Sequence, residues 1–302
     1  MKNTKTNKWI LAIRPKTLPL AVSNTLVGSA LAFGNGGFRW SVFILAALTT
    51  LLLQIISNLA NDYGDFVNGK DNAQRIGPKR MVQAGEIKPQ QMLVAIIVVG
   101  LITAIIGLSL IVIGTQGIDL YNIILFALLG LAAIFAAIKY TVGKNPYGYR
   151  GLGDIFVFVF FGLVGVCGTY FLHTQRFDFL TLLPAISIGL FSTAVLNMNN
   201  MRDYNNDKQL GKRTLVVAMG IEKARYYQLA LIAIGMLSTI IYTVFTFQSG
   251  WQFLFIISMI PFSSNIKKVF SFEKNEELLP ELAKVSMATL LFSLGLGVGI
   301  II

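Results

Sequence analysis

The chain has 302 residues, 55% of them hydrophobic and only 13% charged, with a mean hydropathy of +0.68. Soluble domains carry about 25% charged residues, so a water-soluble enzyme, a nucleic-acid binder and a disordered scaffold are all excluded. The net charge of +11 would suit nucleic acid by number alone, but its placement along the chain argues otherwise. One cysteine (Cys167) and one histidine (His173) rule out a disulfide framework and a Cys/His zinc site. The composition is that of an integral membrane protein.

A bilayer core about 30 Å thick needs roughly 20 mostly apolar residues per helix. Nine stretches meet this: about 17–35, 41–59, 92–114, 121–139, 152–172, 181–200, 227–248, 252–267 and 285–302. The eighth is the weakest, being short and interrupted by Pro261. The N-terminus is basic and leads into an apolar stretch, as a signal peptide would. That stretch is long, contains Pro19 and runs directly into a second span, so it is expected to be a retained first helix.

With nine spans, alternate connections fall on opposite sides of the membrane. The N-terminus and the connections after helices 2, 4, 6 and 8 hold 23 of the 25 Lys and Arg residues, leaving only Arg39 and Arg176 opposite. Positive residues resist translocation, so the basic side is expected to be cytoplasmic, with the N-terminus inside. Twelve of the 14 acidic residues share that side. Acids have little influence on topology, so their concentration has another cause.

That cause is a repeat. The end of helix 2 carries Asn58, Asn61, Asp62, Asp65, Gly69, Lys70 and Asp71; the end of helix 6 carries Asn200, Arg202, Asp203, Asp207, Gly211 and Lys212. Aligned on Asn61 and Asp203, both copies read N-x-x-[N/D]-x-x-x-D-x-x-x-G-K. Residues four apart share a helix face, so Asn61/Asp65 and Asp203/Asp207 each offer two oxygen ligands in one direction. The copies lie four helices apart. The expected architecture is therefore all-α: nine transmembrane helices as two pseudo-repeated four-helix units plus one, forming a single membrane-embedded domain around a central cavity capped on the cytoplasmic side.

Opposed pairs of carboxylates repel each other and favour cations between them. Oxygen ligands without histidine or thiolate suit Mg²⁺, which shares its coordination with substrate phosphates. Arg75, Lys79 and Arg80 follow the first motif, and Arg202, Lys212 and Arg213 flank the second. Acids, Mg²⁺ and bases together describe a diphosphate clamp, and an apolar cavity beyond it would accept a hydrocarbon tail.

These motifs resemble those of the intramembrane aromatic prenyltransferases of the UbiA superfamily. The likeness is strongest to its 1,4-dihydroxy-2-naphthoate branch. It rests on Arg14 to Thr17, Asn58 to Asp71, Arg75 to Gly85, Tyr149 to Asp154, and Asn199 through Val217. The commoner first motif of the superfamily ends in an aspartate where this chain has Gly69, with Asp71 two residues later, as in the naphthoate branch. The resemblance implies that Asn61, Asp65, Asp203 and Asp207 hold Mg²⁺ and, through it, a polyprenyl diphosphate. Asn58 and Asp62, with Arg80, Arg202 and Lys212, are implied to bind substrate. Tyr149 is implied to face the reaction centre. A carboxylate that takes the acceptor's ring hydroxyl proton would make the ring more nucleophilic, and Asp65 and Asp71 are the candidates for it.

The implied reaction is ionisation of the donor to an allylic cation, attack by 1,4-dihydroxy-2-naphthoate, and loss of CO₂. The alternatives are a different aromatic acceptor, such as 4-hydroxybenzoate, and an ion-coupled transporter. Carriers place their charged site near the midplane, often with inverted repeats, whereas these acids cluster at one face in a parallel repeat. Elsewhere, His173 is expected at the surface and Cys167 as a small packing residue. The aromatic run Phe156–Phe161 is expected against lipid or as cavity wall. Glu273, Glu276, Glu277 and Glu281 are expected in a solvated amphipathic stretch.

Overall fold

The computed structural model describes residues 7–72 and 75–302; Lys2 and Lys5 of the basic N-terminal stretch lie outside them. Among the described residues there are nine helical spans long and apolar enough to cross a membrane: α1 (Lys8–Gly34), α2 (Trp40–Val67), α3 (Pro89–Gly114), α4 (Leu120–Lys139), α5 (Gly153–Thr174), α6 (Phe179–Arg202), α7 (Ile221–Phe245), α8 (Gly250–Ser271) and α9 (Asn275–Ile301). All nine expected spans are present. The protein is a multi-pass membrane protein.

Apolar residues separate by what they meet. On α3 the exposed residues Val94, Ile97, Leu101, Ile105, Leu108 and Val112 recur at helical spacing, an apolar stripe suited to face lipid. On α4 only Ala136 is buried, so this helix is peripheral. By contrast α6 is buried around most of its circumference. Its Phe191 packs on Phe262 of α8 and Phe292 of α9, with ring centroids 4.8 and 4.9 Å apart. The main core therefore lies among α6, α7, α8 and α9, together with α1 and α5.

A second core sits at the motif end of α2. Met81, Val82 and Ile87 of the α2–α3 connection pack with Ala12, Ile56, Leu59, Ala60, Met92 and Ile96. The connection is thus a folded cap, resting on the helix that carries the first motif.

Three local features differ from expectation. First, α1 begins earlier than residue 17: helix Lys8–Ile13 is followed by a 3₁₀ turn, Pro15–Thr17, with Arg14 left-handed between them at φ 55°. Proline blocks the continuing helix and favours a fresh start. Second, Pro261 does not interrupt α8. It lies in the first turn of the α-helical part Met259–Ser271, directly after a 3₁₀ stretch Gly250–Ser258, where the winding changes and its fixed φ suits the helix. Third, α5 is wound as a π-helix over Phe158–Cys167, a form that commonly accompanies functional sites.

Two expectations are corrected. His173 is buried, not at the surface: its Nδ1 accepts from the Arg39 N–H at 3.0 Å, Nε2 lies 2.9 Å from Ser29 Oγ, and the ring stacks on Phe38. Arg39 also donates to the carbonyls of Ile113, Gly114 and Leu172, so the α1–α2 connection is tied to the ends of α3 and α5. Glu281 is only 2% exposed and ends a polar chain across four helices. Asn197 donates to Gln228 at 2.9 Å, Gln228 to Asn265 at 3.0 Å, and Asn265 to Glu281 at 2.8 Å. A carboxylate can be buried here because amide and ammonium donors, the latter from Lys284 at 2.6 Å, replace its water.

Candidate active site

Both motifs end in the same backbone turn. In the first, Gly69 is left-handed at φ +62°, the Lys70 N–H donates to the Asp65 carbonyl at 2.7 Å and the Gly69 N–H to the Phe66 carbonyl at 3.1 Å. In the second, Gly211 has φ +69°, and Lys212 and Gly211 donate to the Asp207 and Lys208 carbonyls at 2.9 and 3.3 Å. This is a Schellman cap. The repeated glycine is therefore a requirement of backbone conformation, and the lysine after it is thrown back beside its own aspartate. The helices differ in one respect: α2 runs unbroken to Val67, whereas α6 ends at Arg202 and Asp207 sits on a separate short helix, Tyr204–Gln209.

The two turns meet. Lys212 Nζ donates to Asp65 Oδ1 at 3.0 Å and lies 3.6 Å from Asp207 Oδ1. In the reverse direction Lys70 donates to the Leu210 carbonyl. Asp65 also accepts from Arg80 Nη2 at 2.6 Å and from the Tyr149 hydroxyl at 2.6 Å. The Lys212 ammonium stands 5.2 Å from the centre of the Tyr149 ring. Asp203 accepts two bonds from Arg202, at 2.7 and 2.8 Å, and one from Arg75 at 3.2 Å. Gly77 lets the cap lie on these guanidinium groups: a Cβ there would stand 2.6 Å from Arg202 Nη2 and 2.9 Å from Arg75 Nη2.

Burial and partners set the charges. Burial pushes the Asp203 carboxyl up, but Arg202 and then Arg75 outweigh it and hold it down at about 2. Asp207 is raised to about 6, first by burial and then by Asp203 and Asp65, against Lys212. Burial, reinforced by Asp65, raises the Tyr149 phenol far above its usual value, so it stays protonated and donates to Asp65.

These groups line one end of a cavity of about 570 Å³. The charged residues in its wall are Arg14, Arg75, Arg80 and Lys212 against Asp65, Asp203 and Asp207. Four cations face three carboxylates, a net positive end suited to an anion. Farther along, the wall is mostly apolar, including Leu53, Leu108, Phe126, Ile134, Phe160 and Val164. Phe156, Phe160 and Phe161 of the aromatic run line this wall.

The sequence-derived site residues divide into two groups. Asn58, Asn61, Asp65, Arg80, Tyr149, Asp203, Asp207 and Lys212 all line the cavity. Asp62, Asp71 and Arg202 are not in its wall. Asp62 accepts the Met81 and Val82 N–H groups at 2.8 and 3.1 Å, anchoring the cap, and Arg202 braces Asp203. Asp71 lies close enough to Arg80 and Arg75 to feel their charges. Of the bases expected around the first motif, Arg75 and Arg80 line the cavity, whereas Lys79 is exposed and pairs with Glu86; Arg14 is not among the expected site residues, although it falls in a stretch that carries the family resemblance.

The donor set fits magnesium. Asn61, Asp65, Asp203 and Asp207 supply only oxygen to one cavity end, and a buried Asp71 oxygen has no hydrogen-bond partner. No cluster of three acidic, histidine or cysteine side chains forms a ready-made cage among the described residues. Such a partial set suits an ion that takes the rest of its oxygens from water and phosphate. Buried N–H groups of Arg80 without partners suit the phosphate itself, and the partnerless Nη2 of Arg14 offers a further contact for an anion.

The chain is similar to proteins of known identity. It is 44% identical over 305 residues to the 1,4-dihydroxy-2-naphthoate octaprenyltransferase of Haemophilus influenzae, covering 99% of this chain and 98% of that protein. It is 44% identical over 255 residues to the enzyme of the same name from Escherichia coli, covering 84% and 82%. Its fold matches a UbiA homolog from Aeropyrum pernix with a TM-score of 0.70 at 15% identity, covering 96% of this chain and 98% of that one. A UbiA homolog from Archaeoglobus fulgidus bound to DMAPP and Mg²⁺ matches with a TM-score of 0.61 at 16% identity, covering 97% and 99%. The model of the UbiA prenyltransferase family matches residues 21–290. From the nine-span fold, the paired motifs and these likenesses, the chain belongs to the UbiA prenyltransferase family.

Proposed function

We propose that this protein transfers a polyprenyl chain from polyprenyl diphosphate to 1,4-dihydroxy-2-naphthoate, releasing CO₂ and diphosphate and giving demethylmenaquinol for menaquinone biosynthesis. The observation that carries this reading is the convergence of both motifs, with their bases, on one end of a single apolar-walled cavity. The naphthoate acceptor is supported by the two relatives of that name at 44% identity. The matching turns that end the two motifs support two related four-helix units, α1–α4 and α5–α8, with α9 added, in one domain. The bacterial relatives support a location in the bacterial inner membrane, and the distribution of Lys and Arg supports a cytoplasmic N-terminus and motif end.

Asn61, Asp65, Asp203 and Asp207 would hold Mg²⁺, which neutralises diphosphate as a leaving group. Arg75, Arg80 and Lys212 add positive charge at the same place. Their attraction for the departing diphosphate exceeds that for the bound ester, and this difference lowers the barrier. The C1–O bond of the donor breaks and its electron pair leaves with diphosphate. The apolar wall excludes water, which would otherwise capture the allylic cation.

The acceptor ring attacks C1 through the carbon bearing its carboxylate. The bond from that carbon to the carboxylate then breaks, and its electrons restore the aromatic ring as CO₂ leaves. Charge balances: ester and carboxylate carry the negative charge that diphosphate takes away. Tyr149, fixed by its bond to Asp65, presents its π face to the cation. Asp65 or Asp71 would hold the ring hydroxyl proton while the C–C bond forms, making the ring more nucleophilic, and return it to the quinol oxygen as CO₂ leaves.

The test is to incubate purified protein in detergent with labelled prenyl diphosphate, 1,4-dihydroxy-2-naphthoate and Mg²⁺. Prenylated quinol and CO₂ in equal amounts are expected. Product with 4-hydroxybenzoate but none with the naphthoate would overturn the acceptor assignment. No diphosphate release with any acceptor would overturn the transferase reading in favour of a carrier.

A further inference from the structure

The break in α1 is held by hydrogen bonds. Asn58 Nδ2 on α2 donates to the Ile13 carbonyl at 2.7 Å and to Thr17 Oγ1 at 3.0 Å. Thr17 in turn donates, through both its N–H and its hydroxyl, to the Arg14 carbonyl at 3.0 Å. Gln54 donates to Asn58 Oδ1 at 3.3 Å. Arg14, between the clamped residues, takes a left-handed φ of 55°, which a non-glycine residue adopts only when its surroundings compel it.

What this geometry presents is a guanidinium group. Arg14 lines the cavity together with Thr17, Gln54 and Asn58, and its Nη2 is buried without a hydrogen-bond partner. The other cavity arginines each hold a carboxylate, Arg75 that of Asp203 and Arg80 that of Asp65, although two Arg80 nitrogens also lack partners. No carboxylate forms an ion pair with Arg14 among the described residues; it stands within electrostatic reach of Arg80 and Arg75, and of Asp62 and Asp65. Arg14 is half-buried, and its inner N–H group gains most from a ligand that brings both an acceptor and a counter-charge.

We propose that Arg14 binds the carboxylate of the aromatic acceptor. A planar guanidinium matches an aryl carboxylate through two parallel N–H···O bonds. Placed at the edge of the diphosphate-binding end, that pairing holds the ring within reach of the donor's C1 and sets the carboxyl-bearing carbon toward it. It also keeps the carboxylate ionised, the form from which CO₂ leaves without a proton. Asn58 then acts as a positioning residue, holding the turn that aims Arg14. This inference rests on the naphthoate-transferase reading above.

The experiment compares wild type, Arg14→Gln and Arg14→Lys in detergent, measuring donor and acceptor KM separately. It adds inhibition by 1-hydroxy-2-naphthoate, which keeps the carboxylate, and by 1-naphthol, which lacks it. Arg14→Gln is expected to raise the naphthoate KM and the hydroxynaphthoate inhibition constant at least about tenfold, the scale of one charge-assisted hydrogen bond. Donor KM and naphthol inhibition should stay within about twofold, and Arg14→Lys should recover part of the loss.

A rise in donor KM alone would overturn the proposal and give Arg14 to diphosphate. Equal weakening of both inhibitors, or of neither, would also overturn it. If Arg14→Gln fails to accumulate, Arg14→Lys carries the same comparison, since it keeps the charge and loses the planar fork. The wider reading fails differently: wild type would then not prenylate the naphthoate. The two inhibitors could still be compared against whichever aromatic acid it does prenylate.

Discussion

Lys212 Nζ lies 3.0 Å from Asp65 Oδ1, so the last residue of the second motif closes on the central carboxylate of the first. The Schellman turn at Gly211 makes this reach possible, because it folds the lysine back from its own helix end. The contact joins the two halves of the repeat at the cavity wall. Replacing Lys212 with Met keeps most of the side-chain volume and removes the charge. Turnover should fall about a hundredfold, the scale of losing one transition-state stabiliser, while the protein still accumulates in the membrane. Turnover within threefold of wild type would contradict a role for this ammonium.

Asp65→Asn and Asp207→Asn remove one negative charge from each motif with little change in shape. Each should lower turnover at least about a hundredfold. The measurement is initial rate at saturating donor and acceptor. Near-normal rates in both would remove the clamp assignment.

Tyr149 makes two separable contributions, a hydroxyl bonded to Asp65 and a ring facing Lys212. Tyr149→Phe removes only the first, a hydrogen bond to a charged group that contributes about 1.5–3 kcal/mol. A loss of about tenfold to a hundredfold in turnover is expected. Tyr149→Ala removes the ring as well and should be slower than Tyr149→Phe. Equal rates for the two variants would show that the ring contributes nothing.

Glu281 tests stability apart from chemistry. Glu281→Ala leaves Asn265 and Lys284 without their shared acceptor, an unmet polar cost of about 1–3 kcal/mol. Thermal unfolding in detergent should shift down. Activity per folded molecule should hold near wild type, because the residue lies outside the cavity wall. An unchanged Tm would contradict the four-helix polar chain.

Much of this architecture was legible in the residues. Runs of apolar side chains fixed by bilayer thickness marked all nine spans, and the N-x-x-[N/D]-x-x-x-D-x-x-x-G-K repeat marked the residues that converge. Spacing along a helix says which side chains share a face, but not which neighbour backs that face. Asp62 is therefore one residue from Asn61 yet serves the cap, and Arg202 turns to Asp203 beside it. His173 and Glu281 read as solvated because polar residues near helix ends usually are; their burial depends on donors from distant helices. The turn at Arg14 was hidden for a related reason: Arg-Pro reads as a helix boundary, whereas Asn58 and Thr17 make it a built feature. The matching caps also show that the repeated glycine serves the backbone, a role that the repeat alone did not distinguish from chemistry.

The central claim is that both motifs grip a single diphosphate with magnesium. Equilibrium binding of a non-ionisable prenyl thiolodiphosphate measures this directly, using wild type, Asp65→Asn and Asp207→Asn with Mg²⁺ or with EDTA. One site per chain is expected, weakened at least about tenfold by EDTA and by either substitution. Unchanged binding in EDTA, or in the variant of either motif, would contradict the claim.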